Sequence, residues 1–299
     1  MRQTEPITHW FGKAISLLRT RKAKRLLRTG VLTLIVAAGG LVLMMPLAWM
    51  ASTSLKPLGQ IWVFPPKWIP DKPLWSNYAQ VFTQRPYLIY VRNAIYIVAV
   101  AEVGTLLSCS FVAYGFSRLR FPGRDFLFVV LLGTMMIPGY ATLIPMFIFF
   151  KQIHWLNTYN PFLVPAFFGT PVYIFLLRQF YMTIPLEMDD AAKIDGCGYL
   201  GLYWRILLPL VQPALAAVAI FTFMGRWNDY FGPLIFLNDE KKWPIALGLL
   251  SYQFGQSSYY ISWNILMAAS LLTLIPCLLL FFLAQRVFIQ GVVITGVEK

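Results

Sequence analysis

Long apolar stretches alternate with short charged ones along almost the whole of this chain. Six apolar runs stand out, each with at most two charged residues: 31–50, 93–117, 126–150, 161–178, 209–237 and 262–284. A helix needs about 20 apolar residues to cross the hydrocarbon core of a bilayer, and each run is close to or above that length. The pattern therefore predicts an all-α membrane protein with six transmembrane helices.

The segments between the runs divide the chain. We predict a basic N-terminal segment (1–30), a membrane domain (31–284) and a C-terminal tail (285–299). The membrane domain contains a long outer loop (51–92) and a long inner loop (179–208). The outer loop is rich in proline and tryptophan, which favours an ordered, non-helical loop near the membrane interface. In the third run, Pro138 and Pro145 are expected to bend the helix.

The placement of lysine and arginine predicts the orientation of the chain in the membrane. With six spans, both termini and the inner loops share one side, which carries sixteen of these residues, whereas the other side carries eight. Positive residues are enriched on the cytoplasmic side of membrane proteins. Both termini and the loop 179–208 are therefore expected in the cytoplasm.

Composition narrows the class further. Charged residues make up 12% of the chain and hydrophobic residues 58%, whereas a soluble domain has about 25% charged residues. The net charge of +13 does not indicate nucleic acid, because the positive residues lie in loops beside anionic lipid. Cys109, Cys197 and Cys277 form no disulfide framework.

The basic segment 1–30 leaves two interpretations open. Its interspersed apolar residues suit an amphipathic helix on the inner leaflet: Phe11, Ile15, Leu18 and Leu26. A disordered basic tail fits the same residues. A cleaved signal peptide is not expected, because the following apolar run is too long for one.

Residues for catalysis or metal binding are scarce. The two histidines, His9 and His154, are predicted on opposite sides of the membrane, and no GxxxxGK[ST] phosphate-binding motif occurs in the sequence. We therefore expect no enzymatic site, no metal site and no bound cofactor in this chain.

One inner segment, 187–196, carries four of the twelve carboxylates. Pro185 suits the start of a helix, the carboxylates favour its positive end, and Gly196 can adopt the left-handed conformation that ends it. An amphipathic piece, "YLGLYWRILLP", then leads to Pro209. One side of the short helix is expected to be shallow and open to a partner's groove: Met188, Ala191, Ala192 and Asp195. Such an elbow is either a lever for a partner protein or a solvated connection.

The segment "DDAAKIDGCGYLGLYWRILLPLVQPALA" resembles the EAA loop of ABC-importer permeases, through Asp190-Ala191-Ala192, Gly196 and the ending Leu208-Pro209. Other segments are similar to the smaller permease of the carbohydrate, maltose-system class: "FSRLRFPGR", "MMIPGYATLIPMF", "FTFMGRWNDYFGPLIFLND" and "QRVFIQG". The resemblance covers residues 31–295. The family has glutamate where this chain has Asp190, so an ion pair to the ATPase would be longer or shifted.

The resemblance implies a type I importer in the cytoplasmic (inner) membrane of a bacterium. It implies a second permease forming a heterodimer, two ATPase subunits that hold ATP and Mg, and an extracytoplasmic solute-binding protein. The residues that it implies for ATPase coupling are Glu187, Asp189, Asp190, Ala191, Ala192, Gly196, Leu208 and Pro209.

Charges inside the runs are candidate pathway residues, because they are costly in a bilayer. Glu102 and Arg226 lie at similar predicted depth, so an ion pair between the second and fifth helices is one hypothesis. The competing partner for Arg226 is Asp229, three residues further along the same helix.

The neighbouring residues Trp227, Asn228, Asp229 and Tyr230 combine polar groups with aromatic rings, as carbohydrate pathways do. Alternatively, the polar groups only satisfy backbone near the Gly232-Pro233 helix break.

Three function classes remain to be weighed. The first is a subunit of an ATP-driven carbohydrate importer, for di- or oligosaccharides. Within it, the outer cations and Arg226 would also suit an anionic solute, such as an acidic oligosaccharide or glycerol phosphate, although they serve equally as contacts for a binding protein. An ion-coupled secondary transporter would need internal repeats and more intramembrane carboxylates. A scaffold without transport would not need the elbow.

Overall fold

The computed structural model describes residues 21–253 and 261–294, with side chains at 24–253 and 261–285. Within these ranges the chain is helical and contains no strand. The α-helices are α1 Arg21–Ser54, α2 Ser76–Gln84, α3 Tyr87–Arg118, α4 Arg124–Thr134, α5 Gly139–Gln152, α6 Asn160–Leu163, α7 Pro171–Thr183, α8 Leu186–Ile194, α9 Tyr199–Gly201, α10 Leu208–Leu210, α11 Gln212–Trp227, α12 Phe231–Phe236, α13 Ile245–Gly248 and α14 Trp263–Ile294.

The helices long and apolar enough to cross a membrane correspond to the predicted runs. In the described part of the chain, four spans pass this test as single stretches, and two bent helix pairs raise the number to six if each pair is one span. The single stretches are Lys24–Ser54, Tyr87–Arg118, Asn160–Thr183 and Trp263–Gln285.

Several helices extend beyond the apolar run that predicted them. Helix α1 covers Arg21–Ser54, so residues 21–30 are helical and continuous with the first apolar run, and the interpretation as a disordered tail is wrong for these residues. Residues 1–20 lie outside the described part. Helix α3 begins directly after Pro86, earlier than the predicted residue 93. Polar residues can extend a helix beyond its apolar part, because each added residue forms one more backbone hydrogen bond. The extension stops at a residue such as proline, which lacks the amide hydrogen.

The outer loop is shorter than predicted and contains a helix that the sequence reading missed. Helix α2 begins shortly after Pro73, whereas residues 61–75 remain non-helical, as predicted. Asn77 of α2 is 2% exposed. Its Nδ2 donates to the carbonyls of Ser54 (2.8 Å) and Lys56 (3.1 Å), and its Oδ1 accepts from Asn264 (3.2 Å). One amide therefore joins α1, α2 and α14.

Helix α3 is the centre of the fold. It contributes buried residues to all three hydrophobic clusters: Tyr114 to one, Tyr90 to the second and Ile97 to the third. Its main packing partners are α7 and α11. A movement of α3 therefore displaces most of the membrane domain.

Three breaks interrupt the remaining apolar runs, which are the third and fifth spans if each bent pair is counted as one span. The third span bends by 95° between α4 and α5, and Pro138 lies at this break, as predicted; Pro145 lies inside α5, which continues through it. The chain turns by 77° between α10 and α11. The fifth span also ends its long helix at Trp227 and resumes at Phe231.

Candidate coupling elbow and membrane pathway

The acidic segment forms the short helix that its sequence predicts. Helix α8 follows Pro185, and Glu187 and Asp189 lie in its first turn, near the positive end of the helix dipole. Gly196 has φ +79°, the left-handed conformation. The amide of Gly196 donates to the carbonyl of Lys193 (3.0 Å) and that of Cys197 to Ala192 (2.9 Å). This pair of bonds is the Schellman ending of a helix, and it reverses the chain into the second half of the elbow.

The four residues of α8 and its end that were expected to form one shallow, open side do not share one environment. Ala192 is 5% exposed and packs into the hydrophobic cluster that contains Tyr114, whereas Met188, Ala191 and Asp195 are exposed. Asp189, three residues before Ala192, is also buried. Residues three apart share a helix face, so Asp189 and Ala192 together form the face that α8 turns toward its own chain.

The buried Asp189 lies beside Arg118, the last residue of α3. Arg118 Nε is 3.5 Å from Asp189 Oδ2, and the two side chains are 3% and 6% exposed. Arg118 Nη2 also donates to the carbonyl of Ile184 (2.8 Å), just before α8. Burial raises the pKa of Asp189 above its ordinary value, and Arg118 opposes that rise. Arg118 therefore holds the start and the first turn of α8.

The other carboxylates of α8 face outward. Glu187 is exposed, and Asp190 makes an ion pair with Lys193 at 3.2 Å, in which the two side chains are 71% and 50% exposed. An exposed pair of this kind contributes about 0–1 kcal/mol. Asp190 can therefore exchange Lys193 for a cation of another protein at little cost.

The second half of the elbow leads into the fifth span. Helix α9, a π-helical segment Leu202–Leu207 and α10 follow one another. Leu202, Tyr203 and Leu207 are buried, whereas Trp204 is exposed, so the segment is amphipathic as predicted. Leu208 is half-buried and Pro209 is exposed. No residue pattern in the sequence predicts the π-helical turn, which only the structure reveals.

The intramembrane carboxylate Glu102 is not paired with Arg226. Both carboxylate oxygens of Glu102 are buried without a hydrogen-bond partner among the described residues. Glu102 lines a cavity of about 240 Å³ whose other walls are apolar: Ile95, Val98, Ala99, Ala219, Phe223, Trp227 and Leu280. Since successive helical side chains point about 100° apart, Arg226 is directed away when Trp227 faces the cavity. The hypothesis of an interhelical ion pair is wrong for this structure.

The polar residues that follow Arg226 mainly satisfy backbone at the helix break. Trp227 Nε1 donates to the carbonyl of Thr273 (3.1 Å), and Asn228 Nδ2 donates to Met224 (2.8 Å). Asp229 Oδ1 accepts from the amide of Gly232 (3.0 Å). The alternative that polar groups satisfy backbone near the break therefore fits Asn228 and Asp229, whereas Trp227 bonds to α14 and Tyr230 is 39% exposed.

Two of the helix breaks meet. Tyr140, directly after the break in the third span, makes an edge-to-face contact with Phe231, directly after the break in the fifth span, at a centroid distance of 5.9 Å. Met136 is 86% and Tyr140 81% exposed. The sequence predicted the break at Pro138, but it placed the other break at Gly232-Pro233, which lie inside α12 just after the observed break at 228–230. That the two breaks lie together was not predicted.

The described residues contain no group of three or more His, Cys, Asp or Glu side chains that could hold a metal ion.

Comparison with known proteins gives a consistent result. Residues 104–294 match the family described as "Binding-protein-dependent transport system inner membrane component". The arabinooligosaccharides transport system permease protein AraQ of Halalkalibacterium halodurans is 35% identical over 75% of this chain and 79% of its own. The diacetylchitobiose uptake system permease protein NgcG of Streptomyces coelicolor is 32% identical over 82% of this chain and 81% of its own.

Relatives with another named solute also match. The sn-glycerol-3-phosphate transport system permease protein UgpE of Yersinia enterocolitica is 31% identical over 78% of this chain and 85% of its own. Among solved structures, a bacterial ABC transporter involved in the import of the acidic polysaccharide alginate matches with a TM-score of 0.79 and 21% identity, over 89% of this chain and 98% of its own. At that identity the similarity establishes the fold alone.

Proposed function

The chain belongs to the family of binding-protein-dependent transport system inner membrane components, and from this premise we propose that it is one of two permease subunits of an ATP-driven carbohydrate importer. The observation that carries the proposal is the elbow: a short acidic helix between two membrane spans, with Asp190 and Ala191 on its outward face. Relatives named for oligosaccharide uptake support a di- or oligosaccharide as the solute.

The proposed assembly adds two ATPase subunits, a second permease and a solute-binding protein to this chain. Its sequence has no phosphate-cradling loop of the GxxxxGK[ST] kind, so ATP and Mg belong to two separate ATPase subunits. The second permease would form a heterodimer with this chain, in keeping with the many large apolar side chains that the described part leaves exposed. The family description itself names dependence on a binding protein, which we assign to the outer side.

The proposed topology has six spans, counting each bent pair as one, and both termini in the cytoplasm of a bacterium. The excess of lysine and arginine on the side of the elbow supports this orientation. The elbow then faces the ATPase subunits, and the outer loop with α2 faces the binding protein.

ATP binding would move the elbow and, with it, the membrane helices, so that the pathway opens alternately to the two sides. The outward face of α8 offers a carboxylate and a small side chain, which permits close approach of a partner's backbone. Because Asp190 is one methylene shorter than the family's glutamate, the ATPase cation must approach α8 more closely to form an ion pair.

The meeting of two helix breaks supports a pathway at Tyr140 and Phe231. Non-helical backbone at membrane depth is tolerated only inside protein or beside water, and both breaks carry exposed aromatic rings. Aromatic rings suit the C–H faces of sugars. Tyr230 is exposed and lies next to Phe231. Of residues 227–230, it is the one that we propose to contact the solute directly.

The carboxylate of Glu102 favours a neutral solute over an anionic one. It has no cation partner among the described residues, and its ionised form would repel a passing anion in a medium of low dielectric constant. Sugar hydroxyls can instead donate hydrogen bonds to it. The alternative of an anionic solute is favoured by the glycerol-3-phosphate relative, and the two are separated by the transport experiment at the end of the Discussion.

Capture of the ATPase tests the docking proposal. Membrane vesicles containing this chain and its partner permease are incubated with purified ATPase subunit, in inside-out and right-side-out preparations. We expect capture by inside-out vesicles alone. Ala191→Trp places a large ring on the outward face of α8 and should reduce capture about tenfold or more, because truncating or blocking a central contact costs at least 1–2 kcal/mol.

The control substitution is Met182→Trp, at an exposed position on α7 outside the elbow. It should leave capture unchanged. Equal capture by both vesicle types, or normal capture by Ala191→Trp, would contradict the proposed docking.

A further inference from the structure

One face of α3 holds the elbow at three successive turns. Ser110, Tyr114 and Arg118 are spaced four residues apart, so they lie above one another along the helix. All three side chains reach the elbow or the residue that precedes it.

Each of the three contacts a different part. Ser110 Oγ lies 2.7 Å from Tyr203 Oη in the π-helical segment. Tyr114 Oη donates to the carbonyl of Tyr199 at the start of α9 (3.0 Å). Arg118 donates to Ile184 and pairs with Asp189 of α8. The elbow is thus fastened to α3 at α8, at α9 and in the π-helical segment, although α3 is far from it in sequence.

These contacts are protected from water. Ser110, Tyr114 and Tyr203 are at most 2% exposed, and the rings of Tyr114 and Tyr203 lie 5.2 Å apart. A buried polar network of this kind is costly to break, because each group that loses its partner stays buried. The elbow and the inner half of α3 should therefore move as one body.

We propose that Arg118 is a positioning residue that fixes α8 to α3. Helix α3 then carries the motion of the docked elbow into the membrane domain, as do the two spans that flank the elbow. The inference rests on the proposed function, because it presupposes an ATPase that moves the elbow. Arginine suits the role, since its guanidinium serves the Ile184 carbonyl and the Asp189 carboxylate at once.

Two variants separate positioning from simple stability. Arg118→Lys keeps the charge but cannot make both contacts. Arg118→Met combined with Asp189→Asn removes both buried charges together, which folded proteins tolerate far better than loss of one partner. Arg120→Met is the matched control, because Arg120 is an exposed arginine two residues further along.

The variants are reconstituted with the partner permease, the ATPase and the binding protein. Three quantities are measured: captured ATPase, ATP hydrolysed and solute moved per ATP. We expect both Arg118 variants to capture ATPase normally and to move about tenfold less solute per ATP, while Arg120→Met behaves as the wild type. Wild-type coupling in both Arg118 variants would overturn this inference alone. Absence of ATPase capture by the wild type would overturn the proposed function as well.

A second measurement leaves Arg118 intact. Spin labels are placed at two exposed positions, Phe111 on α3 and Ile194 at the end of α8. If the elbow and α3 form one body, the distance between the labels stays the same with and without ATP. A shift of several ångströms between the two states would overturn the inference even if a substituted protein folded poorly.

Discussion

A single backbone angle decides how the elbow turns. Gly196 has φ +79°, and a Cβ at this position would meet no atom within 4 Å. Any penalty for a side chain here therefore arises from the left-handed conformation and not from crowding. For a residue other than glycine or asparagine, that conformation costs about 1–2 kcal/mol.

Gly196→Ala and Gly196→Asn form a matched pair for this argument. Alanine should loosen the end of α8, whereas asparagine, which tolerates the left-handed region, should largely preserve it. We expect amide hydrogen exchange in 187–197 to become about five- to thirtyfold faster for the alanine variant, in proportion to a cost of about 1–2 kcal/mol. Equal exchange in the two variants would show that Gly196 is not needed for its φ.

Individual side chains show where sequence reasoning stops. The carboxylates of 187–196 and the role of Gly196 follow from local chemistry, so they could be predicted. The burial of Asp189 could not, because its partner Arg118 lies 71 positions away and no local pattern connects them. The same holds for Glu102, whose predicted partner at equal depth is turned away from it. Depth follows from residue counts, whereas direction depends on tertiary packing.

Two glycines of α3 differ in how closely a neighbouring segment approaches them. A Cβ at Gly104 would lie 2.8 Å from ring carbons of Phe167, whereas a Cβ at Gly115 would meet nothing within 4 Å. Gly104 therefore lets the connection after α6 approach α3, while Gly115 has no such role.

Gly104→Ala and Gly115→Ala should consequently change stability in opposite directions. Overpacking at Gly104 should cost about 1–3 kcal/mol, and alanine at Gly115 should add about 0.5–1 kcal/mol through helix propensity. Thermal unfolding of the detergent-solubilised complex measures both, with a lower midpoint for Gly104→Ala and a slightly higher one for Gly115→Ala. A stabilised Gly104→Ala protein would contradict the close packing on Phe167.

The apolar runs located the helices that are long and apolar enough to cross a membrane, because a helix in a bilayer must cover its backbone with apolar side chains. The ends of the helices were less predictable: α1 and α3 both extend into polar sequence. Helix α2 was missed because its stability comes from Asn77 and Val81, which are buried only once α14 and α3 are in place. Likewise, proline marked the break at Pro138, but Pro145 does not interrupt α5.

The complete membrane domain places one unpaired carboxylate among apolar walls, and this arrangement bears on which solute can pass. Glu102 contacts no cation in the described part of the chain, and its cavity adjoins Trp227, at the edge of the break in the fifth span. The ionised form of a carboxylate so placed should select against anions. The permease would thereby add to the selectivity of its binding protein.

Uptake of a neutral arabinooligosaccharide and of glycerol 3-phosphate into vesicles containing the reconstituted complex tests this expectation. Glu102→Gln keeps the shape and removes the charge, so it should raise the ratio of anionic to neutral uptake about tenfold, a change of about 1.4 kcal/mol. The preference of the binding protein cancels when the variant is compared with the wild type. Asp71→Asn, which removes an exposed carboxylate of the outer loop, is the control and should leave the ratio unchanged. An unchanged ratio in Glu102→Gln would remove Glu102 from the pathway. A wild-type complex that prefers the anion would favour the anionic solute.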